Sequence, residues 1–409
     1  MALKANAIVG QSGGPTAAIN ATLSGIIRAS ADSENIEKLY GMKNGIEGLI
    51  DGKIVDISYL FGDEKSLYTL ESTPAAALGS CRKKLPTCGE NKEIYEKILG
   101  HLKSFNIRYL FYIGGNDSMD TVKKLSEYFE ANNCDISVIG VPKTIDNDLC
   151  ITDHAPGYGS AAKYVATAVY EISRDSAVYT VDAVTIIELM GRDAGWLACA
   201  AALPKYYTGV GADLVYLPEV PFSSARFISD VKNELLTHPN VVVAVSEGIK
   251  HENGSYVADS MASGTIDVFG HKYLGGASRN LEALVRRKIG CKVRSVELNL
   301  PQRCASHIAS KTDIDESVLV GAYAVKLATK GNTGKMVTTT RKGGDVYEIS
   351  LDSVDASRVA GCVRSVPPEF INVQKNGVTR ACIDYISPLI LGERKIEYKN
   401  GIPVHLTIK

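Results

Sequence analysis

The chain has 409 residues, 45% of them hydrophobic and 22% charged, with 37 glycines and 14 prolines. At roughly 150 residues per domain, that length suggests about two or three domains with ample core. Lys plus Arg number 45 against 46 for Asp plus Glu, so the formal net charge is −1, and this balance without a basic run argues against a nucleic-acid partner.

No apolar run approaches the roughly 20 residues of a membrane span. The opening stretch meets a glycine turn too early for a secretory signal. The cysteines number nine, with no C-x-x-C pair and none beside a His at zinc-ligand spacing. They are expected as free thiols in a reducing cytoplasm. The seven histidines share no spacing and read as surface or turn residues.

In chain order, Ala5–Gly10 reads as a buried strand, and a helix is expected from Pro15 with Ile19, Leu23, Ile26 and Ile27 on one face. Arg108–Ile113 is a second strand, followed by a helix over Met119–Phe129. Ile136–Val141 is a third. A helix over Ala161–Ile172 precedes the strand Ala183–Leu189, and a helix over Arg226–Leu236 precedes the strand Val241–Val245. Apolar runs alternating with helices predict an α/β protein with parallel sheets covered on both faces.

Polar clusters fall just after these strands, where open α/β sheets bind ligands. Gln11-Ser12-Gly13-Gly14-Pro15 is either a tight turn or an anion cradle at a helix start. In Gly114-Gly115-Asn116-Asp117-Ser118, the amide, carboxylate and hydroxyl suit a phosphate-bound magnesium ion, or else an ordinary helix cap. Pro142-Lys143-Thr144-Ile145-Asp146-Asn147-Asp148 gathers too many functional groups for core or turn. A carboxylate beside a hydroxyl there suits a general base acting on an alcohol. Met190-Gly191-Arg192 and Ser246-Glu247-Gly248 end two further strands, and Arg192 could hold phosphate or sugar oxygens bidentately.

Together, SGGPTAAIN, GGNDSMDT, PKTIDND, MGRDAGW, SEG and PQR resemble, in this order, the phosphofructokinase family. The resemblance runs from about residue 5 to 365 and is nearest to the family's pyrophosphate-using branch. It implies two three-layer α/β domains with parallel sheets and the active site in the cleft between them. Residues 1–150 plus about 305–365 would bind the donor, and 151–304 plus a tail of about 366–409 would bind the sugar phosphate. A cytoplasmic homodimer or homotetramer using Mg2+, with no nucleic-acid or membrane partner, is implied as well.

Carried over by motif, Gly13, Gly14, Gly115 and Ser118 would hold the donor phosphates, and Arg82 would bridge the transferring group. Asp146 would take the proton of the sugar 1-hydroxyl, with Thr144 and Ile145 beside it. Met190, Gly191, Arg192 and Glu247 would contact fructose 6-phosphate, and Arg294 and Arg303 would clamp its 6-phosphate. Asn116, Asp117 and Asp148 would hold the metal.

In the ATP-using branch, glycine stands at the positions of Asp117 and Lys143. A carboxylate at 117 fills the nucleotide's space, and the Lys143 ammonium can stabilise pyrophosphate charge. Both point to pyrophosphate as donor, against an ATP-dependent enzyme or a silent sugar-phosphate-binding subunit. Three departures stand out. Asn116 replaces the usual metal aspartate, Leu300 a usual His or Tyr, and Ala183 an arginine that reaches across the subunit interface.

Overall fold

Short runs of Val, Ile, Leu and aromatic residues form strands buried on both faces, as parallel sheets under helical layers require. The computed structural model describes residues 4–258, 276–344 and 346–408. His271 lies outside these residues.

The strands of the larger sheet are β1 (Ala5–Gln11), β2 (Ile36–Met42), β3 (Ile54–Asp56), β4 (Ile107–Gly114) and β5 (Ser137–Pro142). The smaller sheet holds β6 (Ala183–Leu189), β7 (Leu214–Tyr216), β8 (Asn240–Ser246) and β9 (Lys292–Glu297). The chain then returns to the larger sheet with β10 (Lys335–Arg341) and β11 (Ile349–Asp355). Strand order is β11-β10-β5-β4-β1-β2-β3 in one sheet and β7-β8-β6-β9 in the other.

The smaller sheet is all parallel. The larger one is not, because β3 and β11 run antiparallel to β2 and β10. The connections 43–53 and 342–348 are shorter than the dozen or so residues of a parallel crossover, so they can only fold back. Both exceptions are edge strands.

The helices Ile19–Ala31 and Lys311–Thr329 lie against each other at two glycines. A Cβ on Gly25 would come within 2.0 Å of Val318 O, and one on Gly321 within 2.1 Å of Thr22 O. No side chain larger than hydrogen fits there. This contact fixes the returning chain onto the first helix.

The first helix begins at Ile19 rather than Pro15, with no side chain capping it. Residues 12–18 thereby stay as an open loop. The tail is divided between the sheets, where a single assignment to the second was expected. Val366, Cys382, Ile383, Tyr385, Ile386 and Leu389 join the core under the smaller sheet. Beyond them Arg394 pairs with Glu71, Leu406 N donates to Thr73 Oγ1, and Ile408 enters the core of the larger sheet.

Two expectations drawn from local spacing fail. Cys150 and Cys362 form a disulfide with their Cα atoms 6.0 Å apart, 212 residues apart in sequence, because the turn after β11 lands on the loop after β5. The other cysteines are free thiols. His154 is buried, with Nδ1 2.9 Å from Asp153 Oδ1 and Nε2 2.7 Å from Glu316 Oε2.

Burial disfavours the imidazolium of His154, but hydrogen bonds to Asp153 and Glu316 outweigh it and raise the pKa from 6.5 to about 9. A folded pKa above the unfolded one gives stability that is complete below pH 6.5 and lost as pH climbs through 9. Thermal unfolding midpoints of the wild type should therefore fall over that window, and His154→Gln should lack this part of the slope. Parallel curves for the two proteins would remove His154 as the titrating group.

Candidate active site

The carboxyl ends of β1, β4, β5, β6 and β8 open onto one cleft of about 370 Å³. That lies within the roughly 300–1,000 Å³ of an ordinary small-molecule pocket. Gly13, Gly14, Arg82, Gly115, Asn116, Asp117 and Ser118 line one part, and Lys143, Thr144, Ile145, Asp146 and Asp148 its floor. Met190, Arg192, Glu247 and Arg303 line the rest.

After β1 the chain turns at Gly13, whose φ of +76° suits glycine. Its N–H donates to Cys81 O at 3.0 Å and its carbonyl accepts from Ser80 Oγ at 2.6 Å, which anchors the segment carrying Arg82. A Cβ on Gly13 would lie 3.4 Å from Lys143 Nζ, and one on Gly14 3.4 Å from an Arg303 nitrogen. Side chains there would fill the space between two cations. Bare backbone leaves it open to an anion.

After β4 the helix Asn116–Ala131 starts with Gly115 as its cap and no side-chain cap bond. Asn116, Asp117 and Ser118 are thus not spent as an ordinary cap, and the helix N-terminus favours negative charge at the cleft. Ser118 is more occupied than expected, since its hydroxyl donates to Ser12 Oγ at 3.0 Å. Asn116 Oδ1 is buried without a hydrogen-bond partner, and its Nδ2 sits 3.5 Å from Asp148 Oδ2. An orphaned amide oxygen among carboxylates is the donor set a hard divalent cation prefers. The residues fit a metal.

After β5, Lys143 Nζ donates to Gly14 O at 2.5 Å, and Thr144 Oγ1 accepts from Asp146 N at 3.0 Å. Asn147, at φ 53°, turns the chain so that Asp146 and Asp148 both reach the cleft. Burial raises the Asp146 pKa to about 7, with Asp148 adding repulsion and Arg192 and Lys143 opposing it. Burial likewise lowers Lys143 to about 8, and it raises Asp148.

On the facing side, Gly191 N donates to Glu247 Oε1 at 3.3 Å, so Gly191 sets Glu247 without itself lining the cleft. Burial, then Asp146 and Glu188, carry the Glu247 pKa up to about 8. Arg192 Nε is buried with no hydrogen-bond partner, 3.7 Å from Asp193 Oδ2. A guanidinium so placed is prepared for an anionic or polyhydroxyl ligand.

Arg294 is not brought to this cleft. It is exposed on the edge strand β9, in a separate hollow with Ala183, Tyr179 and Lys292. Strand alternation explains this, because Arg294 pairs with Thr185 well before the carboxyl end of β6. Sequence reasoning also missed Gln302, whose Oε1 accepts from Met190 N at 3.2 Å. Its place inside PQR was the available signal. Gly361 and Val363 line the cleft too, and nothing local marks them.

A cleft of this kind, with glycine loops, a half-buried carboxylate pair and facing arginines between two α/β sheets, has the make-up of a phosphoryl-transfer site. The chain belongs to the phosphofructokinase family, which its residues 6–297 match. It is 39% identical over 401 residues to the pyrophosphate--fructose 6-phosphate 1-phosphotransferase of Halomonas elongata, covering 97% of this chain and 94% of that one. The enzyme of the same name from Methylococcus capsulatus is 37% identical, at 98% and 96% coverage. The pyrophosphate-dependent phosphofructokinase from Nitrosospira multiformis superposes with a TM-score of 0.89 at 34% identity, covering 99% of this chain and 96% of that one.

Proposed function

We propose that the chain catalyses reversible phosphoryl transfer from inorganic pyrophosphate to the 1-hydroxyl of fructose 6-phosphate, giving fructose 1,6-bisphosphate and orthophosphate. The observation that carries this reading is Asp146, half-buried in the shared cleft that Lys143 and Arg192 also line. The sugar O1 attacks the terminal phosphorus, the bond to the bridging oxygen breaks, and orthophosphate leaves. Asp146 takes the hydroxyl proton. A pKa near 7 suits a general base at neutral pH.

Lys143 and Arg82 face the donor, and the bare backbone of Gly13, Gly14 and Gly115 lets phosphate oxygens approach. Arg192, Met190 and Glu247 hold the sugar, with Thr144 and Ile145 beside its O1. Arg303 meets the 6-phosphate, which carries no changing charge in the reaction. The metal of this family we assign as Mg2+, held by Asn116, Asp117 and Asp148, where it would neutralise diphosphate charge. Asp117 also opposes a nucleotide, since like charges about 4 Å apart repel by roughly 4 kcal/mol at an effective dielectric near 20.

The donor domain comprises the elements around β1–β5, β10 and β11, and the sugar-phosphate domain those around β6–β9. Arg294 can join the 6-phosphate clamp only in another copy's cleft, so the working form is a homo-oligomer, a dimer or tetramer. No helix among the described residues is long and apolar enough to cross a membrane. We place the enzyme in the cytoplasm on the strength of its reaction, whose phosphorylated substrates are metabolites of that compartment.

Phosphate release from fructose 6-phosphate plus pyrophosphate, run beside ATP, tests the donor; a wild type preferring ATP would overturn the reading. Asp146→Ala should lower kcat by roughly 10²–10⁴-fold, the scale of a lost acid–base group, and near-normal turnover would sink its assignment.

Asp117→Gly should admit ATP weakly with a modest loss on pyrophosphate, whereas Lys143→Gly should cut pyrophosphate turnover by roughly 10²–10³-fold. Unchanged turnover in the Lys143 variant would defeat its role.

For the oligomer, Asp146→Ala and Arg294→Ala proteins, each impaired alone, should regain activity when dissociated and reassociated together. Mixed assemblies no better than the average of the two would place Arg294 outside the clamp.

A further inference from the structure

The loop that carries Asp146 and Asp148 is gripped from behind by the segment after β11. Arg364 N donates to Asp148 O at 2.8 Å, Leu149 bridges Val363, and Cys150 is joined to Cys362. The Arg364 guanidinium donates to Asp153 O and, at 3.3 Å, to the Tyr385 hydroxyl. That hydroxyl in turn donates to Asp153 O at 2.6 Å and accepts from Asn147 Nδ2 at 3.0 Å. Residues 147, 148 and 153 are therefore all fixed through Arg364 and its partner Tyr385.

The same residue holds the facing loop. Arg364 O accepts from Trp196 Nε1 at 3.0 Å, and the guanidinium lies 4.5 Å from the centre of the Trp196 ring. Trp196 closes the MGRDAGW segment, four residues after Arg192. The main chain of residue 364 thus bonds to both loops whose side chains meet in the cleft. The arginine side chain adds the contacts to Asp153 O, Tyr385 and the Trp196 ring. Only its neighbours Gly361 and Val363 line that cleft, so Arg364 touches neither substrate.

We propose that Arg364 is a positioning residue that fixes the distance between Asp146 and the sugar held by Arg192. The need for it is physical. Two carboxylates close together out of water repel each other, and Asn147 between them holds a left-handed turn at φ 53°. A loop under that load stays in register only if its backbone is held from outside. Misplacing a catalytic group by about 1 Å can cost roughly 100-fold in rate. The inference rests on the reading of Asp146 as the base.

Steady-state kinetics of the full chain with pyrophosphate test it. Arg364→Ala should lower kcat by roughly 10–100-fold while both KM values stay within about threefold, because the main-chain bonds to Asp148 and Trp196 survive and keep the binding groups in place. Arg364→Lys keeps the charge and one donor but not the planar stack, and should fall between. Tyr385→Phe, which removes one hydroxyl, should lower kcat several-fold in the same direction, and it carries the test if Arg364→Ala does not fold.

Folded variants with wild-type kcat, or with changes confined to KM, would overturn the proposal. So would a loss that merely tracks the folded fraction seen by circular dichroism. Asp146→Ala with near-normal turnover would instead remove the base assignment, which separates the two failures.

Discussion

Two half-buried carboxylates and a buried ammonium share one cleft floor, and the surrounding architecture follows from that cost. Burial pushes Asp146 up to about 7 and Lys143 down to about 8, so each is held near the edge of losing its charge. Such groups persist only where opposite charges and directed hydrogen bonds compensate for lost water. Arg192, Arg82 and Arg303 line the same cleft. The carboxyl ends of the strands supply the fixed backbone on which these groups are mounted. A softer support would let like charges spread apart.

The central strands and the helices between them were legible in the sequence because their signal is local. Ala183–Leu189 is a seven-residue strand at the expected bounds, and Asn116–Ala131 overruns the expected helix by only a few residues. The motif residues were legible for the same reason, since each cluster follows its own strand. What escaped is contact between distant residues. The Cys150–Cys362 disulfide, the buried His154 between Asp153 and Glu316, and the two-part tail each join segments that composition treats as unrelated. Spacing carries no information about them.

Arg294 shows the limit from the other side. The motif that named it is local, yet residue type and motif position do not say which cleft a side chain serves. Arg303, nine residues on, lies on the short helix Pro301–Cys304 beyond the strand and meets the cleft. Arg294 stays on the exposed sheet edge beside Ala183, where the family resemblance places an arginine acting across subunits. One departure from the family pattern, Ala183, and one misplaced residue, Arg294, therefore fall on a single surface.

The cleft divides its labour by chemical type. In the function proposed above, the donor meets mostly bare backbone around Gly13, Gly14 and Gly115, and backbone discriminates poorly among phosphate donors. Discrimination must then come from the few side chains that intrude, which are Asp117 and Lys143. On the side assigned to the acceptor, Arg192, Glu247 and Arg303 all present charged groups to the cleft. A donor site made of backbone and two deciding side chains can change its donor through those two positions. An acceptor site that depends on many charged groups at once, as the proposal has it, cannot be altered so simply.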